Sequence, residues 1–308
     1  MNILMMRKLL IAALLIALPV VNTTAQQRKY VVDVQAHRGG MGLLPEESLE
    51  AMLNAVDLGV NTLEMDLCVT KDKKVILSHD KYFSHRFTTR PNGTPVMEGE
   101  PRAYLWHMPY DSIARYDVGL RQNPDMPEQQ TVATPKRLLA DVVAAVEAYT
   151  EARGLAPMHY NIEIKCDPDH DGGVEGRDWP EYHEFVDICI AALDALNLGD
   201  RLIIQTFDTR SLNYINERYP GHHLSYLVGG GSGTYEQIMS RLNFVPEWFS
   251  PAWTIMDQNM VDRTHADGMK IVTWTVDEKE QMRRVIDMGV EAVISNYPNR
   301  LLEVVGEY

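Results

Sequence analysis

Residues 30–42 read Tyr-Val-Val-Asp-Val-Gln-Ala-His-Arg-Gly-Gly-Met-Gly. A β-rich run, Tyr30 to His37, is followed at once by a glycine-rich turn. In an open, doubly wound nucleotide-binding sheet that turn has the form GxGxxG, whose glycines let the backbone approach a pyrophosphate. His37-Arg38-Gly39-Gly40-Met41-Gly42 does not fit it, so the open sheet lacks its signature. Seven more β-rich runs follow: Thr62 to Asp66, Tyr160 to Lys165, Leu202 to Phe207, Leu224 to Val228, Trp248 to Ser250, Lys270 to Val276 and Ala292 to Ser295. Helical stretches separate them: Glu46 to Leu58 after Pro45, Lys136 to Arg153 before Gly154, Glu181 to Leu196, Thr209 to Arg218, Tyr235 to Leu242, Gln258 to Asp267, and Glu278 to Met288 before Gly289. Strands alternating with crossover helices predict a parallel sheet. Eight strands close a (β/α)8 barrel.

One segment breaks the rhythm. Only 12 residues separate Asp66 from His79, too few for a helix and a strand. Thr70-Lys71-Asp72-Lys73-Lys74 is a polar turn and Val75-Ile76-Leu77 resumes β character. Leu67 to His79 therefore reads as a hairpin that brings His79 back towards Glu64 and Asp66. From about 81 to 135 the chain is proline-punctuated and irregular. That length is too great for an ordinary loop and implies a small subdomain inserted after the second strand.

The N-terminus carries a targeting pattern. Arg7 and Lys8 precede an apolar run, Leu9 to Val21, closed by Thr23-Thr24-Ala25. These are the three regions of a secretory signal over residues 1–25, in a run short for a membrane span. Cleavage leaves residues 26–308, exported to a periplasm or secreted, with no stable membrane insertion. The chain already carries 43 acidic against 29 basic residues, and the leader removes two cations and no acid. That balance argues against nucleic-acid binding, which needs a basic face. It leaves a phosphate substrate open, because a metal and a few local cations reverse the field inside one cleft. The odd set Cys68, Cys166 and Cys189 makes no disulfide framework, and Cys68 and Cys166 read as small buried fillers.

Chemistry in such a barrel sits at the C-terminal strand ends. Strand one delivers His37 and Arg38, strand two Glu64 and Asp66, the hairpin His79, and strand three Glu163 and Lys165. Strand four ends in Gln205 and Phe207, and strand seven offers Trp274. Glu64 and Asp66, two apart, share one face, as do Glu163 and Lys165. Inward-facing carboxylates repel one another and lose hydration unless a cation joins them. Oxygen-only ligation by three carboxylates suits Ca²⁺ or Mg²⁺. His37 and His79 are candidates for general acid and base. Arg38 and Lys165 suit phosphoryl oxygens. Phe207 and Trp274 read equally as barrel packing or as pocket walls.

Several strings then fall in order: Ala36-His37-Arg38-Gly39, Pro45-Glu46, Leu63-Glu64-Met65-Asp66-Leu67, Thr70-Lys71-Asp72, Ser78-His79-Asp80, Asn161-Ile162-Glu163-Ile164-Lys165, Gln205-Thr206-Phe207 and Thr273-Trp274-Thr275-Val276. Together they resemble the glycerophosphodiester phosphodiesterase family, from about Val34 to Pro298. The resemblance implies a TIM barrel with an insertion, to which Ala103 to Gly119 would belong. It implies Glu64, Asp66 and Glu163 as metal ligands, His37 and His79 as the acid–base pair, and Arg38 as a phosphate contact. The implied reaction is metal-assisted cleavage of a small glycerophosphodiester to glycerol 3-phosphate and an alcohol. The chain departs from the family pattern at four places. Glu47 stands where Asn usually follows Pro-Glu. Lys136-Arg137 replaces an acidic helix start. The closing Thr-Asp-Tyr-Pro is Ser295-Asn296-Tyr297-Pro298, and Trp-Thr-Val-Asn is Trp274-Thr275-Val276-Asp277.

Two other readings compete. A phospholipase or phospho-sugar diesterase would need an apolar mouth, which Tyr104 to Met108 could provide. A catalytically silent phosphodiester-binding barrel is opposed by the histidine pair and the carboxylate trio.

Overall fold

The computed structural model describes residues 32–166, 168 and 179–308. The apolar leader lies outside them. The strands are β1 (Asp33–Ala36), β2 (Thr62–Val69), β3 (Val75–Leu77), β4 (His159–Ile164), β5 (Leu202–Thr206), β6 (His223–Val228), β7 (Trp248–Pro251), β8 (Lys270–Thr273) and β9 (Ala292–Ser295). All but β3 run parallel in the order β1-β9-β8-β7-β6-β5-β4-β2, and β1 pairs with β2 to close the ring. Eight parallel strands closed on themselves form the TIM barrel expected from the sequence. β3 is antiparallel to β2, with Leu67 opposite Leu77 and Val69 opposite Val75, which is the expected hairpin.

The helices are α1 (Leu49–Leu58), α2 (Tyr110–Ile113), α3 (Leu139–Ala152), α4 (Tyr182–Asp194), α5 (Thr209–Arg218), α6 (Tyr235–Met239), α7 (Gln258–Ala266), α8 (Lys279–Asp287) and α9 (Pro298–Val305). Their starts follow side-chain caps more closely than hydrophobic period. α1 begins at Leu49, not Glu46, because the Ser48 hydroxyl accepts from the Ala51 N–H and Glu47 has φ +58°. Such a residue cannot sit inside a right-handed helix. α3 begins at Leu139, not Lys136, because the stretch before it extends β3: Leu77 N–H donates to Arg137 O, and Leu138 bridges Ile76. α6 is shorter than expected. α9 was not expected, although Pro298 supplies the usual first-turn signal.

Burial falls into two regions. The larger cluster lies between the barrel and its helices and holds Leu63, Met65 and Leu67 of β2 with Met52 and Ala55 of α1. The smaller comprises Ile203, Trp248, Val272, Ala292 and Ile294, with Trp274 against it. These come from β5, β7, β8 and β9 at alternating positions, so they fill one side of the barrel interior. The other side is polar: Asn161 Nδ2 donates to Gln35 Oε1 (2.8 Å), and Gln205 Nε2 to Glu64 Oε1 (2.8 Å). Among the described residues no helix is long and apolar enough to cross a membrane.

Between β3 and α3 the chain makes α2 and isolated bridges, Tyr82 to Tyr104 and Thr89 to Asp117. Phe83 stacks on Tyr116 with centroids 4.0 Å apart. This connection is pinned to the barrel loop after β1 at Gly119, where a Cβ would lie 2.1 Å from Val132 O and 2.8 Å from Pro45 Cγ. No side chain fits there without moving backbone. Gly119→Ala should therefore destabilise the protein by on the order of 1–3 kcal/mol, the usual cost of overpacking. Thermal denaturation followed by circular dichroism checks this; an unchanged midpoint would mean the two segments are not tightly packed.

Candidate active site

β1 stops at Ala36 because the next residues turn. His37–Gly39 forms one 3-10 turn in which Arg38 adopts φ 50°, ψ 36°. Gly39 has φ +81°, and a Cβ there would meet Ala51 Cβ at 2.9 Å, so only glycine lets the turn rest on α1. The turn points the Arg38 N–H at Glu64 Oε2 (2.9 Å). The Arg38 guanidinium places Nη1 3.1 Å from Glu46 Oε2 and Nε 3.2 Å from Asp66 Oδ2.

Asp66 on β2 stands in register with Glu163 on β4. Glu64, Asp66 and Glu163 each offer a carboxylate oxygen, and these oxygens lie within 4.8 Å of one another. All three are buried. Lys165 Nζ reaches Glu163 Oε2 (3.0 Å) and Asp66 Oδ1 (3.3 Å). The carboxyls respond differently to this crowding. Burial raises Asp66, but Lys165, His79 and Arg38 outweigh it and hold its carboxyl well below the usual range. Burial, then the Asp66 charge, pushes Glu64 well up. Burial pushes Glu163 up to about 7 despite Lys165. The trio fits a hard divalent cation: its donors are all oxygen, they converge, and Asp66 Oδ2, though ion-paired with Arg38, is buried and accepts no hydrogen bond.

His37 lies at the edge of this cluster, with Nε2 3.9 Å from Glu64 Oε2 and Nδ1 2.5 Å from Asn296 Oδ1. Burial and the Arg38 charge push its imidazole down to about 3. His79 is more open, at 35% side-chain exposure, and its Nδ1 lies 3.1 Å from Asp80 Oδ1. Ser78 N–H donates to Asp66 O and Ser78 Oγ to Asp80 O (2.6 Å), so the hairpin return fixes the His79 turn above β2.

Phe207 and Trp274 meet edge to face, centroids 5.4 Å apart. Trp274 lies past the end of β8, and its Nε1 donates to Ser250 O (2.8 Å). Phe207 is 42% exposed, so this pair has an accessible apolar face as well as packing contacts. Within Tyr104 to Met108, Leu105 is fully buried and Trp106 and Met108 pack against the core, so the segment presents no exposed apolar mouth. Of the two cysteines read as fillers, Cys68 is buried and Cys166 only partly so.

Glu47, Asn296 and Asp277 were visible in the sequence only as departures. Glu47 is 3% exposed, and its Oε1 accepts from the Asp66 N–H (2.9 Å). Asn296 connects His37 to Asp277. Their signal was position next to a motif; no property of the residues themselves revealed these contacts.

A closed barrel with convergent carboxylates, two histidines and two cations at its C-terminal rim defines a class of phosphate-ester enzyme. Residues 37–300 match the Glycerophosphoryl diester phosphodiesterase family, and the chain belongs to it. It is a phosphoric diester hydrolase. Among its relatives is a glycerophosphodiester phosphodiesterase of Caldanaerobacter subterraneus, 25% identical, with 88% of this chain and 97% of the relative covered. A lysophospholipase D of Homo sapiens is 23% identical, covering 94% and 90%. A solved structure from Silicibacter pomeroyi shares the fold with a TM-score of 0.78 at 22% identity, covering 90% of this chain and 94% of that one. An Oleispira antarctica phosphodiesterase, solved with the product sn-glycerol-3-phosphate, has a TM-score of 0.66 at 19% identity, covering 89% and 96%.

Glu163 carries a testable linkage. Its folded value, about 7, lies above the ordinary 4.5. The fold thus favours its neutral form. That contribution to stability is present below about pH 4.5 and lost as pH rises through 7. A glutamine at this position would mimic the neutral acid, accepting from Lys165 and donating to Asp66. In chelator-treated protein, Glu163→Gln should melt above wild type at pH 8.5, and the gap should close by pH 5. Differential scanning fluorimetry across pH measures it; a variant that melts lower throughout would contradict the linkage.

Proposed function

We propose that this enzyme hydrolyses small glycerophosphodiesters to glycerol 3-phosphate and an alcohol, using a divalent cation and a histidine pair. The observation that carries this reading is the convergence of the Glu64, Asp66 and Glu163 oxygens beside His37 and Arg38 at one end of the barrel. Glu64, Asp66 and Glu163 would hold the cation, Ca²⁺ or Mg²⁺. When bound, such a cation supplies positive charge to the non-bridging phosphoryl oxygens. The product held by the Oleispira antarctica phosphodiesterase supports the choice of glycerol 3-phosphate.

In this reading the free hydroxyl of the substrate glycerol attacks phosphorus. One imidazole takes its proton, the bond to the alcohol breaks, and the other imidazole protonates the departing alkoxide. Water then opens the cyclic phosphate by the reverse exchange, restoring both rings. Arg38 and Lys165 bear on the phosphoryl oxygens, and Phe207 and Trp274 wall the alcohol side. The leader at residues 1–25 supports export. The acid excess of the chain repels anionic bilayers within a screening length of roughly 8–10 Å, which opposes close approach to the membrane and favours diffusible deacylated diesters over membrane lipid.

The test is alcohol and phosphate release across a panel of glycerophosphodiesters, with a coupled phosphatase, with and without chelator. Glycerophosphoethanolamine or glycerophosphocholine should turn over, and chelation should abolish turnover. Glu64→Gln should lose metal-dependent activity while keeping its far-UV spectrum; full activity in the stripped variant would remove the metal from the mechanism.

Initial rates on soluble diester and on the matching diacyl lipid in vesicles, at equal phosphodiester concentration, separate the substrate classes. Soluble diester should be much the faster. Faster cleavage of vesicle lipid would favour a phospholipase.

A further inference from the structure

The two departures at the closing strands meet each other. Asp277 Oδ2 accepts from Asn296 Nδ2 (2.7 Å), and Asp277 Oδ1 accepts from the Asn296 backbone N–H (2.9 Å) and from Ser295 Oγ (3.2 Å). Arg300 Nη1 donates to the Asp277 carbonyl (3.1 Å) and ties the loop to α9. A carboxylate ringed by donors decides which way an asparagine amide faces. The NH2 of Asn296 turns to Asp277, and its carbonyl oxygen turns to His37 Nδ1, 2.5 Å away. That oxygen carries no proton, so the hydrogen in the His37–Asn296 bond belongs to the imidazole.

Resting on the phosphodiesterase reading, we infer that Asp277 and Asn296 are positioning residues that hold His37 with its hydrogen on Nδ1 and its lone pair on Nε2, the nitrogen turned to the carboxylate cluster. His37 is then the group that accepts the proton of the attacking hydroxyl, and His79 is the group that donates to the leaving alkoxide. His79 is left for that part, and it is the more exposed of the two rings, 35% against 16% for His37. In the first step the glycerol O–H breaks as O–P forms, the proton goes to His37 Nε2, and the alcohol leaves with a proton from His79. Hydrolysis of the cyclic phosphate returns both protons.

The reciprocal arrangement would place Asp at position 296 and Asn at position 277. Since the two side chains are bonded to each other, exchanging them is one reciprocal change. Either arrangement offers an oxygen to His37 Nδ1 and keeps an amide–carboxylate bond behind it. A single substitution breaks the pairing; the double exchange keeps it.

The experiment is ¹⁵N-histidine NMR of the purified enzyme, with the His37 signals assigned by loss in His37→Gln, alongside kinetics of Asp277→Asn and of the double variant Asp277→Asn/Asn296→Asp. Wild-type His37 should have a protonated Nδ1 and an unprotonated Nε2. Asp277→Asn lets the Asn296 amide rotate, so a second tautomer should appear. Its kcat on glycerophosphocholine should fall about 10–100-fold with KM within about threefold, as expected when a histidine loses its orienting partner. The loss should be as large on a p-nitrophenyl phosphodiester, because proton acceptance from the nucleophile does not depend on the leaving group. The double variant should regain the Nδ1–H tautomer and most of the lost kcat. A merely structural role would lower the melting temperature of both variants alike and leave the tautomer unchanged. Hydrogen on Nε2 in wild type would overturn the inference, as would a double variant no better than the single one. Failure of the wild type to cleave any glycerophosphodiester would instead overturn the functional reading, and the tautomer would still be readable.

Discussion

Glu64 and Asp66 stand two apart on one strand, 2% and 1% exposed, and strand geometry turns both into the barrel. Two unit charges of like sign about 4 Å apart repel by about 4 kcal/mol at an effective dielectric constant of 20. Much of the surrounding structure offsets that cost. Arg38 comes from the turn after β1, Lys165 from the end of β4, and Gln205 from β5, and each reaches one of these two carboxylates. Glu46, Glu47 and Glu163 add further acid, so five carboxylates face two side-chain cations in this corner. The protein resolves the conflict by splitting the group. Asp66 keeps its charge, while burial favours the neutral forms of Glu47, Glu64 and Glu163. Carboxyls pushed apart in this way are the arrangement that a cation site or a proton-transfer site requires.

The same demand divides the barrel interior. Polar side chains from β1, β2, β4 and β5 fill the side that carries the carboxylates, and apolar ones from β5, β7, β8 and β9 fill the opposite side. β5 serves both: Ile203 and Gln205 are two apart and share its inner face. The apolar side leads up to Trp274 and Phe207 at the rim. In the proposed reading, a substrate entering from above would meet charge on one wall and aromatic surface on the other. This suits a molecule with a phosphate at one end and an organic alcohol at the other.

The eight barrel strands were legible because alternation and turn chemistry repeat along the chain. Their ends were less so. β1 stops before His37, since Arg38, Gly39 and Gly40 all have positive φ, and no hydrophobic pattern reports that. The start of α1 was misplaced for a related reason: Pro45 suggested a first turn, but Glu47 is left-handed and Ser48 provides the cap. β3 was expected as a hairpin return, yet its further pairing with Arg137 and Leu138 depends on a contact across about sixty residues, beyond any local signal. Within the site, Glu64, Asp66, Glu163, His37 and His79 could be read from strand position. Asn296 and Asp277 could not, because their contribution lies in which way an amide faces.

The departures from the family pattern have a common location. Glu47 accepts from the backbone of Asp66, at a left-handed position where asparagine is the easier residue. Lys136, 5% exposed, donates to Ser78 Oγ, which in turn donates to the Asp80 carbonyl beside His79. Asp277 and Asn296 sit behind His37. None of the four is among the groups proposed to face the substrate; each holds the backbone or ring of a group that is. A support needs only to present a donor or acceptor at a given point, and several side chains can do that if the neighbouring groups change with them. A metal ligand or a proton-transfer group is bound by charge and by reach to fractions of an ångström, and nothing else in the chain can stand in for it. The supports around Asp66, His79 and His37 are therefore the positions at which a different side chain could serve, provided its neighbours change with it.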